Sequence, residues 1–273
     1  MSNTSPPAIK LAVCVTFHFV RDRFQYLEAL CKNFSNLARE VDVTIVTNTV
    51  DSEEQKAILR IGDQYGLNLS LFVPTGLGHP YLLPWSHFPV MREKFLDPAF
   101  THFLYQEDDM LVRQETVIYL LEARELLRAA GLLPAIVRVE KNSRNGEWYV
   151  TDEIKPVELA QRSMVRVEGG PIGFVNLFVC YQAMYFLDRE CMARHLSGDS
   201  SSPNAGMWHI RERASQALTF VDVPEGFRCR YVVPMDIATK RLDERCMVHH
   251  LPNNYVFDPK SLFAKLWLGD LFE

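Results

Sequence analysis

Glu107, Asp108 and Asp109 stand side by side at the end of an apolar run, Phe103-Leu104-Tyr105-Gln106. Three adjacent carboxylates repel one another, and such a cluster is tolerated where water solvates it or where a hard divalent cation, Mg2+ or Mn2+, neutralises it. In open α/β sheets ligands bind outside the carboxyl ends of the strands, which is where this run would deliver its acids. The plainer reading is a turn into a helix, since acids favour helix N-termini and Glu115 and Thr116 follow closely. The segment thus offers either a metal-assisted anion site or a solvated turn.

The elements that must position these acids favour a site. Residues 9–19 read as a buried strand, and 24–39 as a helix with apolar positions three and four apart. Residues 41–47 form a second strand, 51–65 a helix capped by Asp51 or Ser52 and closed by Gly66, and 67–73 a third strand. This alternation predicts a parallel sheet. After a Gly- and Pro-rich stretch over 76–85, a helix over 86–95 leads into the acid-bearing strand, and a helix over 115–130 follows it and stops at Gly131. Beyond that point the alternation weakens. Residues 135–139 and 148–151 are expected to pair across the Asn145-Gly146 turn, 181–196 and 207–218 to be helical, and 198–203 to be a flexible link.

Composition removes several classes of function. The 273 residues are 48% hydrophobic with a formal charge of −5, enough apolar content for one large core and no basic footprint for nucleic acid. No P-loop pattern occurs. Cys14, Cys31, Cys180, Cys191, Cys229 and Cys246 show neither a C-x-x-C pair nor zinc-ligand spacing, so they are expected to be reduced, buried small hydrophobes. There is no secretion-signal pattern and no transmembrane-length apolar run. A cytoplasmic location is therefore expected, with peripheral membrane association left open.

An acidic triplet after an apolar strand, behind a long β-α alternation, resembles the D-x-D motif of GT-A-fold glycosyltransferases, with Glu107 where Asp is commoner. The resemblance covers most of the chain. It implies a GT-A-like (Rossmann-like) α/β/α sandwich with a mixed, mostly parallel central sheet. A flexible arm would occupy residues 1–8 and a single domain residues 9–273. Its 9–112 half would bind the nucleotide sugar, and its 113–273 half would bind the acceptor and end in a C-terminal helix. By this resemblance Asp109 holds Mn2+ or Mg2+ on the donor's diphosphate, Glu107 contacts the ribose or the metal, and Asp108 lies between them.

Three later segments fall in the order such enzymes require. Glu168-Gly169-Gly170-Pro171-Ile172-Gly173 stands where the family has its acceptor-side glycine loop. Glu212, in Gly206-Met207-Trp208-His209-Ile210-Arg211-Glu212, matches the acid of the x-E-D motif and is the general base if transfer inverts the anomeric centre. Met247-Val248-His249-His250 resembles the C-terminal segment that supplies a further metal ligand. Neighbours on a strand point to opposite faces, so one of His249 and His250 would reach the metal; imidazole suits Mn2+ better than Mg2+.

Arg92 and Lys94, or Arg21 and Arg23 after the first strand, would face the phosphates, and Thr16 and Phe17 would lie under the nucleoside. The implied activity moves a sugar from a nucleotide-diphosphate donor to a glycan, a lipid-linked or a small-molecule acceptor. Two other readings stand beside it. A sugar-phosphate nucleotidyltransferase would show a Gly-rich phosphate loop where this chain reads Thr16-Phe17-His18-Phe19-Val20-Arg21. A non-catalytic carbohydrate-binding or scaffolding protein of the same fold would use residues 262–272 as an interaction helix.

Overall fold

A computed structural model describes residues 5–273, so half of the arm expected over residues 1–8 lies outside the described residues. In chain order the first elements are β1 (Lys10–Phe17), α1 (Phe24–Phe34), β2 (Glu40–Thr47), α2 (Ser52–Tyr65), β3 (Asn68–Phe72), α3 (His87–Leu96), β4 (His102–Glu107), β5 (Met110–Leu111) and α4 (Gln114–Leu127). There follow β6 (Leu133–Pro134), β7 (Val137–Lys141), β8 (Trp148–Val150), β9 (Met164–Arg166), β10 (Ile172–Val175), β11 (Met184–Asp188) and α5 (Arg189–Ser197). The last are β12 (Tyr231–Asp236), β13 (Arg241–Leu242), β14 (Met247–His250), α6 (Asn254–Phe257) and β15 (Leu266–Trp267). The chain divides into two compact units, one running to Gln114 and including Ala183–Leu218, the other made of Glu115–Gln182 and Thr219–Glu273.

The first unit carries a sheet of order β11-β4-β1-β2-β3, parallel except for β11. From Leu11 to Phe17 every residue of β1 is buried, the continuous apolar run of a strand covered on both faces. α1 buries Leu27, Leu30, Cys31 and Phe34, one stripe at helical spacing. It stops at Phe34, short of residue 39. Ser35 and Asn36, which compete for backbone hydrogen bonds, turn the chain there with Asn36 N–H donating to Asn33 O. Asp51 caps α2 by accepting from the Glu53 and Glu54 N–H groups, and Gly66 ends it at φ +62°.

The apolar pattern of residues 181–196 is not one helix. It begins as β11, whose Tyr185 and Leu187 stand opposite Tyr105 and Phe103 of β4, and becomes α5 only where Asp188 accepts the Cys191 N–H at 2.7 Å. Short apolar runs read equally well at either period, and pairing with β4 decides this one.

Beside β4, α3 and α5 bury two histidines. His87 stacks on Tyr105 at 4.0 Å with Nδ1 held by Pro84 O, and the His195 Nδ1 meets Ser200 Oγ at 2.7 Å. Burial pushes both imidazoles down to about 3, and His195 is lowered further by the nearby His87 charge. Because these folded values lie below the unfolded one, the unfolded chain binds more protons in acid. Their contribution is intact above pH ~6.5 and is lost as pH falls towards 3. At pH 5 the loss is on the order of 2 kcal/mol per histidine. Melting curves of wild type and His87→Phe/His195→Phe between pH 8 and 5 should therefore converge in acid; parallel curves would contradict this account.

The second unit has two sheets. β9, β10, β12 and β13 form an antiparallel set with β6 parallel to β12, and β15, β8, β7 and β14 form the other. The β7–β8 hairpin turns at Asn145-Gly146, with Gly146 at φ +78°. The glycine segment 168–173 is a hairpin turn from β9 to β10. Gly173 lies so close to Met164 that a Cβ would sit 2.5 Å from its Sδ, so any side chain there requires Met164 to shift.

Two expectations are corrected in this unit. Cys180 and Cys229 form a disulfide with Cα atoms 6.6 Å apart, while Cys14, Cys31, Cys191 and Cys246 are buried thiols. The partners are 49 residues apart, a separation that spacing motifs do not register. Residues 262–272 are also not a helix: β15 pairs with β8, and Phe272 bridges to Val157. Lys265 donates to the Tyr255 and Asp258 carbonyls, which fixes an extended path and buries Leu271 and Phe272. Among the described residues, no helix is long and apolar enough to cross a membrane.

Candidate functional site

β4 ends at Glu107 opposite Thr16 of β1, so the acids leave the carboxyl edge of the first unit's sheet. Their turn is fixed from both sides. The buried Gln106 donates from Nε2 to Met110 O at 2.8 Å, and Glu107 N–H donates to Ala183 O at 3.2 Å. Asp108 and Asp109 keep only 5% and 6% of their surface, so water does not solvate them and the plain exposed turn is excluded.

Arg23 is a neutralising cation within the unit. It ends a short 3-10 turn, Arg21–Arg23, that leads into α1 and is anchored by edge-to-face contacts among Phe17, Phe19 and Phe24 at 5.7 to 5.8 Å. Its Nε donates to Asp108 Oδ2 at 2.7 Å, and its Nη2 donates to Asp108 Oδ1 and to Asp109 Oδ2, the latter at 2.8 Å. Burial, followed by the adjacent Asp109 charge, pushes Asp108 up to about 6 against the pull of Arg23, while the hydrogen bonds that Arg23 donates to Asp108 hold its guanidinium charged above its ordinary value. At neutral pH both members are ionised. A guanidinium spanning two carboxylates locks their rotamers, because its donors lie in a rigid fork.

The other candidates in this unit are distributed around the sheet. Thr16 donates to the Tyr105 hydroxyl at 3.2 Å. Phe17 is fully buried in the aromatic trio, so its ring is core and is not presented to a base. Arg21 and Arg92 are exposed. Lys94 pairs with Asp42 at 2.7 Å, and Asp42 stands beside Ala12, four residues back from Thr16 in the register, about 13 Å along the strand at ~3.3 Å per residue. The structure therefore brings Arg23, not Lys94, to the acids.

Glu212 opens the 3-10 helix Glu212–Ser215, which replaces the expected helix over residues 207–218. Arg213 holds this loop by donating to the Trp208 and Pro203 carbonyls, and Trp85 Nε1 donates to Ile210 O at 2.6 Å. Gly206 sits at φ +118° with Gln216 Oε1 where a Cβ would be, so no other residue fits there. Arg211 Nη2 donates to Glu212 Oε1 at 2.9 Å, whereas Glu212 Oε2 is buried without a hydrogen-bond partner. That oxygen is an acceptor left for a ligand or a proton.

In the second unit β14 alternates as its period demands: His249 is half-buried and His250 buried. His249 Nε2 lies 2.9 Å from Asn253 Oδ1, which also accepts the Lys141 N–H. His250 Nδ1 lies 2.7 Å from the fully buried Glu140, and its ring stacks on Tyr255 at 5.4 Å. A carboxylate on Nδ1 fixes the orientation of the imidazole ring. Glu140 was not singled out from the sequence: in the alternating Val137-Arg138-Val139-Glu140-Lys141 it reads as an ordinary solvent-facing strand position, and no local signal marks its burial.

Among the described residues no three or more His, Cys, Asp or Glu side chains are gathered to hold a metal. The oxygen donors of Asp109 and Glu107 nevertheless suit a hard divalent cation such as Mn2+ or Mg2+.

No protein-family model matches the sequence, and no curated protein matches it. Solved structures do. A mannosyltransferase from Pyrobaculum calidifontis, in complex with GDP-Man and Mn2+, superposes with a TM-score of 0.50 at 13% identity over 91% of this chain and 59% of its own. The 4-diphosphocytidyl-2C-methyl-D-erythritol synthase of Anaerococcus prevotii gives 0.42 at 13% identity over 90% and 91% of the two chains. TarS of S. aureus in complex with UDP-GlcNAc gives 0.30 at 17% identity, and the match spans 49% of this chain and 34% of that one. The mannosyltransferase superposition, over a mixed and mostly parallel sheet with the acids at its carboxyl edge, shows that this chain has the GT-A-type glycosyltransferase fold.

Proposed function

We propose that this chain is a glycosyltransferase that moves a sugar from a nucleotide-diphosphate donor to an acceptor hydroxyl. The observation that carries the reading is the buried acid turn at the carboxyl end of β4, clamped by Arg23 in a GT-A-type sheet. The similarity to a mannosyltransferase bound to GDP-Man and Mn2+ supports it. Asp109, with Glu107, would hold a divalent cation on the donor's diphosphate. Bound there, the cation supplies Lewis-acid stabilisation of charge on the departing diphosphate.

The chain's own residues do the rest. Arg23 holds the two aspartates in fixed rotamers, so their oxygens need no reorganisation when the donor binds. Glu212 takes the proton from the acceptor hydroxyl at Oε2, while Arg211 fixes Oε1. The turn that carries Glu212 is pinned by Trp85 and Arg213, which keeps the carboxylate in one position.

Calorimetric titration with UDP, GDP, CDP and ADP, with and without Mn2+, tests the donor assignment. One diphosphate should bind in a Mn2+-dependent manner, and Asp109→Asn should weaken it by roughly tenfold or more, the scale of a lost charged ligand. The same titration with Mn2+ alone reads the metal independently of turnover. Equal binding by wild type and Asp109→Asn would overturn the assignment.

A further inference from the structure

Phe178, just beyond β10 in the second unit, keeps 41% of its surface exposed. Three cations surround its ring. The Arg228 guanidinium lies 4.6 Å from the centroid, and Lys155 Nζ and the Arg162 guanidinium each lie 5.8 Å away. An aromatic face attracts a cation, but three like charges gathered at one ring repel each other. None of the three ion-pairs with a described residue, and Arg162 Nε is buried without a hydrogen-bond partner. The neighbouring acids relieve this little. Asp152 pairs with Arg138 and Glu158 accepts from Gln161; the buried Glu153, whose charge is felt by Arg162, accepts the Val179 N–H and is pushed up to about 7 by desolvation. In a chain of net charge −5, three cations around one ring faced by one desolvated acid are a local feature that suits an anionic partner.

The cluster is also built on a rigid frame. Asn176, buried beside Phe178 in sequence, donates from Nδ2 to the Cys229 and Tyr231 carbonyls at 3.1 and 2.7 Å, and its Oδ1 accepts the Arg228 N–H at 2.8 Å. The Cys180–Cys229 disulfide ties the same two loops. Phe178 and Arg228 are thus held together by a side-chain cross-link and a covalent one, although 50 residues separate them in the sequence.

We propose that Arg162, Arg228 and Lys155 form a binding site for the phosphate monoester of a small soluble ligand, whose carbon skeleton packs on the exposed edge of Phe178. A phosphate presents three strong acceptor oxygens and close to two negative charges, which matches three separate cations better than a planar carboxylate does. The recessed Nε of Arg162 suits a ligand that reaches inward rather than a flat bilayer. This inference does not rest on the donor reading, since it uses none of the acid-turn residues.

The test follows the arginine side-chain Nε–Hε resonances of the full chain by NMR during titration with a hexose 6-phosphate, with the neutral hexose as control. Arg162 and Arg228 should shift saturably with the phosphate and not with the hexose. Arg228→Gln/Lys155→Gln should weaken the affinity by roughly tenfold or more. Both residues are exposed, so the variant retains its fold, which its melting temperature checks. Absence of saturable shifts, shifts confined to Arg23, or equal affinity in the double variant would overturn the site. Binding only to phosphatidylcholine vesicles that carry phosphatidic acid, and not to the hexose phosphate, would overturn the small-ligand assignment.

Discussion

Glu212→Gln is expected to lower sugar transfer by about 10²- to 10⁴-fold, the usual cost of removing a general base. The amide preserves the shape of the side chain and its contact with Arg211, but removes the basicity of the partnerless Oε2. Nucleotide affinity should stay at the wild-type level, because the substitution leaves the acid turn intact. Stability should change little, since the Arg211 pair is partly exposed and such pairs contribute about 0–1 kcal/mol. The readout is kcat against KM with donor in excess, and a variant of near wild-type kcat would remove the base assignment. A transferase that retains anomeric configuration would do the same, because Glu212 is assigned on the premise of inversion.

Arg23→Met should be the most damaging single change to the first unit. It leaves Asp108 and Asp109 buried without their shared counter-ion, and breaking a buried pair from one side costs about 3–5 kcal/mol. Arg23 keeps 32% of its side-chain surface, so solvent screening places the expected loss at the lower end, about 3 kcal/mol. In a chain of this size that lowers Tm by roughly 6–12 °C. Arg23→Lys retains the charge without the fork and should fall between the two, whereas Asp108→Asn on the Arg23→Met background should recover part of the loss. If Arg23→Met melted with the wild type, the clamp would carry no structural weight. Nucleotide binding by the lysine variant then separates positioning from bulk stability: a fork that orients the acids predicts weakened Mn2+-dependent binding even in a folded protein.

The first half of the chain was readable because each element carries its own local signals. Asp51 and Gly66 mark the ends of α2, and the unbroken burial of β1 matches its unbroken apolar run. Glu107 to Asp109 were readable as candidates for the same reason, a strand that stops in charge. What was hidden depends on contacts between residues far apart in the chain. Arg23 meets Asp108 across 85 residues, and nothing local separates it from the exposed Arg21. Lys94 lies on the helix leading into the acids, yet its side chain turns to Asp42. Tyr185 and Leu187 fit helical spacing but pair with β4. Cys180 finds Cys229 only because Asn176 and the β10–β12 ladder bring their loops together. The apolar positions of residues 262–272 nearly encircle a helix that never forms, because strand pairing and the Val157 bridge bury them more simply.

The central claim is turnover of a nucleotide sugar at the acid turn. Its most direct test incubates the protein and Mn2+ with a panel of UDP-, GDP- and CDP-linked sugars and follows released nucleoside diphosphate by mass spectrometry, with wild type, Asp109→Asn and Glu212→Gln side by side. The account predicts that at least one donor is consumed by the wild type in the presence of a sugar acceptor, and that both substitutions suppress that consumption. Turnover that survives Asp109→Asn, or a panel left intact by a folded wild type under these conditions, would contradict it.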